Sequence, residues 1–291
     1  MTDEQGLELY SSTAAAAAAP VIRRYSNSFR LATSLFPRRS RAAIRAIYAL
    51  VRVADEIVDG TAAEAGLGPE AQRTRLDELE AETHRAIETG FSANLVVHAF
   101  AVVARRAGIP REPVVAFFAS MRRDLGAVDF DETEYRAYIH GSAEAVGIMC
   151  LYVFLIDHPA DDGTRRGLEE GAVRLGAAFQ KVNFLRDLGH DSDALGRAYF
   201  PGIAPGRIDE AAKSAIVAEI RGDLDAARRA TAALPRDCRR AVRVATDIFG
   251  SLLSRLERTP AERLAHERVS VPAAAKALIA LRWTVWPWSG A

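Results

Sequence analysis

Asp55 and Asp59 stand four residues apart in YALVRVADEIVDG (48–60), an otherwise largely apolar stretch, and Asp187 and Asp191 repeat that spacing in FLRDLGHD (184–191). Residues four apart on a helix share a face at about 5–6 Å, where like charges are mutually destabilising. For either pair alone, a solvated helix face with a salt bridge to Arg52 or Arg186 is the plainer account. Two pairs ask for more, because Gln180, Asn183 and Asp187 advance by three and four along one polar stripe among Ala177, Phe179, Val182, Phe184 and Leu188. Unpaired buried carboxylates are very costly. A hard cation explains the pattern: Mg²⁺ takes oxygen ligands, one or two of them carboxylates, and completes its shell with phosphate oxygens and water. Neighbouring arginines then act as clamps on the same anion, since a guanidinium matches phosphate oxygens in bidentate fashion. Such a site above an apolar cavity would hold a hydrocarbon tail and help a diphosphate leave, with the acids as metal ligands rather than bases. No Ser/His/Asp or Cys/His grouping and no glycine-rich nucleotide loop supports a rival chemistry.

The elements that must carry these residues read as helices throughout. Alanine, leucine and arginine recur at three- and four-residue spacing, which predicts helices over 20–36, 41–60, 70–90, 92–107, 111–125, 132–157, 164–189, 208–233, 236–258 and 271–283. Pro37, Gly60, Gly68-Pro69, Gly90, Gly108 and Pro110 punctuate the predicted ends. Residues 193–207, with three glycines and two prolines, are expected to form an ordered loop. The expectation is one all-α domain over 20–282, preceded by an N-terminal extension over 1–19 and followed by a tail over 283–291.

Composition narrows the class. With 49% hydrophobic residues the 291-residue chain can bury a large core, and 38 basic against 38 acidic residues leave no net charge to hold nucleic acid. The acidic start MTDEQGLELYSS and the short run Ala14–Ala19 suit neither a signal peptide nor an anchor, and no run of eighteen apolar residues predicts a membrane span. Cys150 and Cys238, outside any metal-like spacing, fit a reduced cytoplasmic protein.

The stretches YSNSF (25–29), YALVRVADEIVD (48–59), YIHGSAEAVG (138–147) and QKVNFLRDLGHDSDALGRAYFP (180–201) together resemble the squalene/phytoene synthase family, the head-to-head prenyl transferases. The resemblance runs from about Tyr25 to Lys276. It implies an all-α isoprenoid synthase fold around a central cavity. It implies Mg²⁺, or Mn²⁺ in its place, with Asp55, Asp59, Asn183, Asp187 and Asp191 as ligands or their close support. Ser26, Ser28, Arg52, Gln180, Arg186 and Arg197 would face the diphosphates, with Tyr199 in a covering loop and Arg268 and Lys276 as C-terminal diphosphate contacts. Tyr48, Tyr138 and Arg52 would act at the reacting centre, and Phe29 is a further aromatic candidate for cation stabilisation, with core packing equally able to explain it. The implied chemistry ionises one prenyl diphosphate, adds the second to give a cyclopropylcarbinyl diphosphate, and rearranges this to a 1–1′ linked hydrocarbon. Two departures from the family pattern stand out: Phe249 occupies a frequent tyrosine position, and Asn27 replaces a basic residue.

Within the family, Ala32 and Thr33 stand where some C15-using relatives carry a bulky aromatic, so geranylgeranyl diphosphate is favoured as the substrate and phytoene as the product. The alternatives are squalene or dehydrosqualene from farnesyl diphosphate. NADPH is not expected. A terpene cyclase is a rival that GRAYFP (196–201) argues against, and a non-catalytic partner protein is one that the retained acids argue against. The three tryptophans 283, 286 and 288 suggest a tail that touches the inner face of the cell membrane, or equally one that packs on the domain.

Overall fold

The computed structural model describes residues 5–126, 130–195, 199–203, 207–264 and 266–285, the side chains of 27–28, 189–195 and 284–285 excepted. The described residues form helices α1 (Gly6–Tyr25), α2 (Asn27–Ser34), α3 (Arg38–Val58), α4 (Thr61–Glu64), α5 (Pro69–Thr89), α6 (Leu95–Ala107), α7 (Arg111–Arg123), α8 (Glu132–Ile139), α9 (Ala145–Phe154), α10 (Asp162–Leu195), α11 (Glu210–Thr231), α12 (Arg236–Arg258), α13 (Ala261–Leu264) and α14 (Ala273–Val285), and no strand among them. A π-helical turn, His140–Glu144, joins α8 to α9.

Local chemistry sets the helix ends. Pro37 and Pro110 stand at the entries to α3 and α7, where a missing N–H costs nothing. Asn94 caps α6 by accepting from the Val96 and Val97 amides, and Asp131 with Glu134 forms a capping box on α8. The buried stripe Ala43, Ala46, Ile47, Leu50, Ala54 and Val58 turns one side of α3 into the bundle, where it meets α1, α6, α7 and α9. Helix α10 lies against α9, the π-turn, α11 and α12, and α12 also packs on α2 and α14. Gly147 and Gly176 permit the approach of α10 to α9 and to the π-turn: a Cβ on either would stand 2.6 Å from the Ala172 carbonyl oxygen or 2.5 Å from that of Ala143. Two buried clusters result, one around Ile47, Leu50, Phe100, Phe117 and Met149 and one around Tyr138, Phe184, Phe249 and Leu252, with a cavity lined by members of both.

Four expectations change. The expected helix over 20–36 is two helices broken at Ser26, whose extended backbone (φ −143°) starts α2 while its Oγ accepts from the Phe29 amide. The residues assigned to an N-terminal extension are helical from Gly6 and packed: Ala14, Ala18 and Ile22 are buried on one stripe, and α1 lies on α3 and α6, running through Pro20. Helix α10 continues to Leu195, into the expected loop. The segment Glu132–Phe154 is long and apolar enough by composition to cross a membrane, yet half of it is buried in the bundle and it forms one wall of the cavity.

Candidate active site

The cavity has two chemically distinct ends, and the direction of each helix explains why. Helix α3 runs from Ile44 and Ile47 toward Tyr48, Arg52, Asp55 and Asp59; α10 runs in the same sense from Leu168 and Ala172 to Gln180, Asn183, Arg186 and Asp187. The α8–α9 segment runs the other way, from Tyr138 to Leu151 and Phe154. All these side chains line a single space of about 780 Å³, joined at the polar end by Asp124, Tyr199, Arg268 and Lys276. The two acid-bearing helices thus present their polar stripes to one mouth, as the spacing predicts.

Asp55 stands where a negative charge is disfavoured. It is set among protein atoms while the cavity leaves 26% of its side chain accessible, and burial pushes its carboxyl well above the usual range; Asp59, Asp124 and Glu56 add to this and Arg52 opposes it. Arg52 itself is divided. It donates to Glu56 Oε1 (Nε at 2.7 Å), stands 3.9 Å from Asp55, and lies over the Tyr25 ring at 4.4 Å. Asp187 is held differently: burial would raise its carboxyl, but Arg186 and Arg268 donate to it (3.0 and 2.8 Å at Oδ1) and keep it below the usual range. Burial, then the charge of Arg186, lowers Lys276.

Asp124, absent from the sequence expectations, is buried at the end of α7, and Tyr138 Oη donates to both its oxygens (2.9 and 3.0 Å). Burial and then Asp124 push the Tyr138 phenol well above its ordinary value, so it stays a neutral donor. Its sequence context, RRDLG, reads only as a helix end; the pairing spans fourteen residues and is visible only once α7 and α8 are packed. Tyr48 is likewise raised, by burial first, with the charge of Arg52 opposing. Ser26 lines the cavity while capping α2.

Aromatic rings fill the waist. Phe29 lies 6.3 Å from Tyr48, 5.8 Å from Phe179 and 5.6 Å from Phe249 between ring centres, and Phe179 stacks on Phe249 at 3.8 Å. Tyr199 stacks on Phe184 at 4.0 Å, with Tyr138 6.2 Å away. Ala32 and Thr33 both line the space. Arg197 and the side chains of Ser28 and Asp191 lie outside the described residues, as do Trp286 and Trp288. Trp283 packs on the domain, donating to Asp247 Oδ2 at 2.7 Å with Arg243 5.0 Å above its ring.

Among the described residues the donor set at the mouth is carboxylate and amide oxygen without thiol or imidazole, which suits a hard divalent cation. Among the described residues no three carboxylate, imidazole or thiol groups already converge as a metal centre. The Asp55 cluster nevertheless fits such an ion, because added positive charge would offset the burial and the repulsion that raise its carboxyl.

The helical architecture is that of the isoprenoid synthases. A dehydrosqualene synthase crystal structure superposes with a TM-score of 0.80 at 21% identity, covering 97% of this chain and 99% of that one, and squalene synthase HpnC from Alicyclobacillus acidocaldarius does so at 0.71 and 21%, covering 86% and 95%. At that identity the likeness establishes the fold. In sequence, the squalene/phytoene synthase profile matches residues 22–203. The 15-cis-phytoene synthase of a Paracoccus species is 31% identical over 88% of this chain and 86% of its own length. Phytoene synthase of Mycobacterium tuberculosis is 33% identical over 62% of this chain, a match that spans only 55% of that protein. The chain belongs to the squalene/phytoene synthase family, whose members are head-to-head prenyltransferases.

Proposed function

We propose that this chain joins two molecules of geranylgeranyl diphosphate head to head to form phytoene. The observation that carries the reading is the two-ended cavity: acids and arginines from α3, α10 and the Arg268–Lys276 segment at one end, an apolar arm at the other. The Paracoccus relative, named a 15-cis-phytoene synthase, supports the choice of product, and so does the room beside Ala32 and Thr33. Asp55, Asp59, Asn183 and Asp187 would hold a divalent cation, Mg²⁺ or Mn²⁺, with Asp191 completing the second acid pair. Bound there, it would offset the charge of the departing diphosphate.

The chain's own groups do the rest. Arg186 and Arg268, which hold Asp187 in the ligand-free chain, turn to the diphosphate oxygens and release that carboxylate. Lys276, Gln180, Ser26 and Arg52 line the same end and orient the anion. Each C1–O bond breaks with its electron pair on the diphosphate, the double bond of the second substrate supplies the new carbon–carbon bond, and two protons leave over the sequence. Tyr48, Tyr138 and Phe29 present ring faces to the cations, each worth about 0.5–2 kcal/mol when desolvated. The apolar walls exclude the water that would quench them. No reductant enters this scheme.

The test is a product analysis: the protein with Mg²⁺, equal farnesyl and geranylgeranyl diphosphate, and no NADPH, with hydrocarbons identified by mass spectrometry. Phytoene is expected. A C30 product would keep the chemistry and replace the substrate by farnesyl diphosphate; no product, with or without NADPH, would refute the catalytic reading.

We also propose a cytoplasmic protein whose last residues touch the inner face of the membrane and help an apolar product enter it. Removing 286–291 should weaken binding to liposomes, and unchanged binding would take the tail out of the account.

A further inference from the structure

The apolar arm has an identifiable floor. Phe36, at the α2–α3 corner, and Phe154, the last residue of α9, are both buried, line the cavity and stack with ring centres 5.1 Å apart at 23°. They lie opposite the acids: Asp55 and Asp59 close the far end of α3, and Ile44 to Asp59 alone spans fifteen residues, about 22 Å at 1.5 Å per residue. The two rings are fastened from behind. Arg41 donates twice to the Phe36 carbonyl oxygen, at 2.8 and 3.2 Å, fixing the corner that carries that ring. Arg39, three residues after Phe36, pairs with Asp157, three residues after Phe154, and both keep partly exposed side chains. The ion pair thus ties together, from the partly exposed side, the two segments that carry the stacked rings.

We infer that the Phe36–Phe154 stack is the length stop of the cavity, the specificity-determining contact that admits a C20 tail and refuses the next isoprene unit. The inference rests on the proposed prenyl diphosphate chemistry and deepens it, adding which residues end the tail site. The space beside Ala32 and Thr33 lets a long tail in; the stack decides where its last carbons must stop. Truncating Phe154 removes one half of the floor and leaves the Arg39–Asp157 pair as an outer rim through which a longer tail can reach.

The experiment is competition between geranylgeranyl diphosphate and its C25 homologue, geranylfarnesyl diphosphate, in wild type, Phe154→Leu and Phe154→Ala, with melting curves on each. The wild type should turn over the C20 substrate and discriminate against C25. The kcat/KM ratio of C25 to C20 should rise at least about tenfold in Phe154→Ala, the scale set by one or a few methylenes gaining a place in an apolar pocket. Phe154→Leu, a milder change that guards against loss of folding, should fall between. A wild-type ratio in both folded variants overturns the floor assignment. Failure of the wild type on every prenyl diphosphate refutes instead the function on which it rests.

Discussion

The charge arrangement at single residues separates two kinds of acid. Asp55 is destabilised where it stands, by burial and by three carboxylates, whereas Asp187 is stabilised by two arginines. Such a contrast is what the proposed cation-and-diphosphate site would require. Asp55→Asn keeps the shape and removes the charge, so kcat/KM should drop by at least about a hundredfold, the scale of losing one preorganised electrostatic partner, while the ligand-free melting temperature stays level or rises. Steady-state kinetics and a melt on the same preparation check both; a stability loss with modest kinetic change would assign Asp55 to the fold. The cysteines make a second residue-scale case. Burial pushes both thiols up to about 12, Cys150 from the cavity wall and Cys238 from the α3–α12 contact. With the folded values raised above the ordinary one near 8.5, the thiols favour the fold fully below that pH, and the contribution fades as pH climbs from about 8.5 toward 12. Denaturant midpoints should fall over that window, and fall less in Cys150→Ala/Cys238→Ala; identical alkaline profiles would contradict the shifts.

At the scale of elements, close helix approach is what delivers residues to the cavity. Gly147 sits where α9 meets α10 and Gly176 where α10 meets the π-turn, each with a carbonyl oxygen inside 3 Å of where a Cβ would go, whereas Gly222 on α11 is exposed with nothing within 4 Å. The same substitution should thus act in opposite directions: Gly147→Ala destabilising by about 1–3 kcal/mol through overpacking, Gly222→Ala stabilising by about 0.5–1 kcal/mol through helix propensity. Chemical denaturation of the two variants decides it, and a stabilised Gly147→Ala would mean that α9 and α10 are free to separate. How much of this was legible follows the range of the interactions. The stripes of α3, α5, α6, α7, α11 and α12 are periodic and their stops are glycine or proline, so those helices read directly from the sequence. The start of α1 did not. Its alanine run looks like a featureless lead-in, yet alanine has the strongest helix propensity, and Ala14 and Ala18 are small enough to seat α1 against α3 and α6. Asp124 was illegible for another reason: its meaning depends on Tyr138 in another helix, and no local pattern encodes that pairing.

Across the whole molecule, the sum of charges is zero but the mouth is not neutral in detail. Asp55, Asp59 and Asp124 line it together with Arg186, Arg268 and Lys276, and two of these cations are already engaged with Asp187. Under the proposed function, a divalent cation entering alone would gain Asp55 and Asp59 but find Asp187 engaged by its arginines. A diphosphate entering alone would meet the arginines and also the full repulsion of the acids. On that proposal each ligand would prepare the site for the other, and the linkage would be reciprocal. Thermal melts with Mg²⁺, with the non-ionising analogue geranylgeranyl thiodiphosphate, and with both, should show a joint shift larger than the sum of the separate ones. At a hundredfold over Kd the pair would contribute about 2.7 kcal/mol, roughly 5–10 °C for a chain of this size. Arg268→Gln should shrink that excess toward zero, because it removes the arginine that reaches Asp187 from outside α10. Simple additivity in the wild type would mean that cation and anion occupy independent sites, and the two ends of this cavity would then need separate explanations.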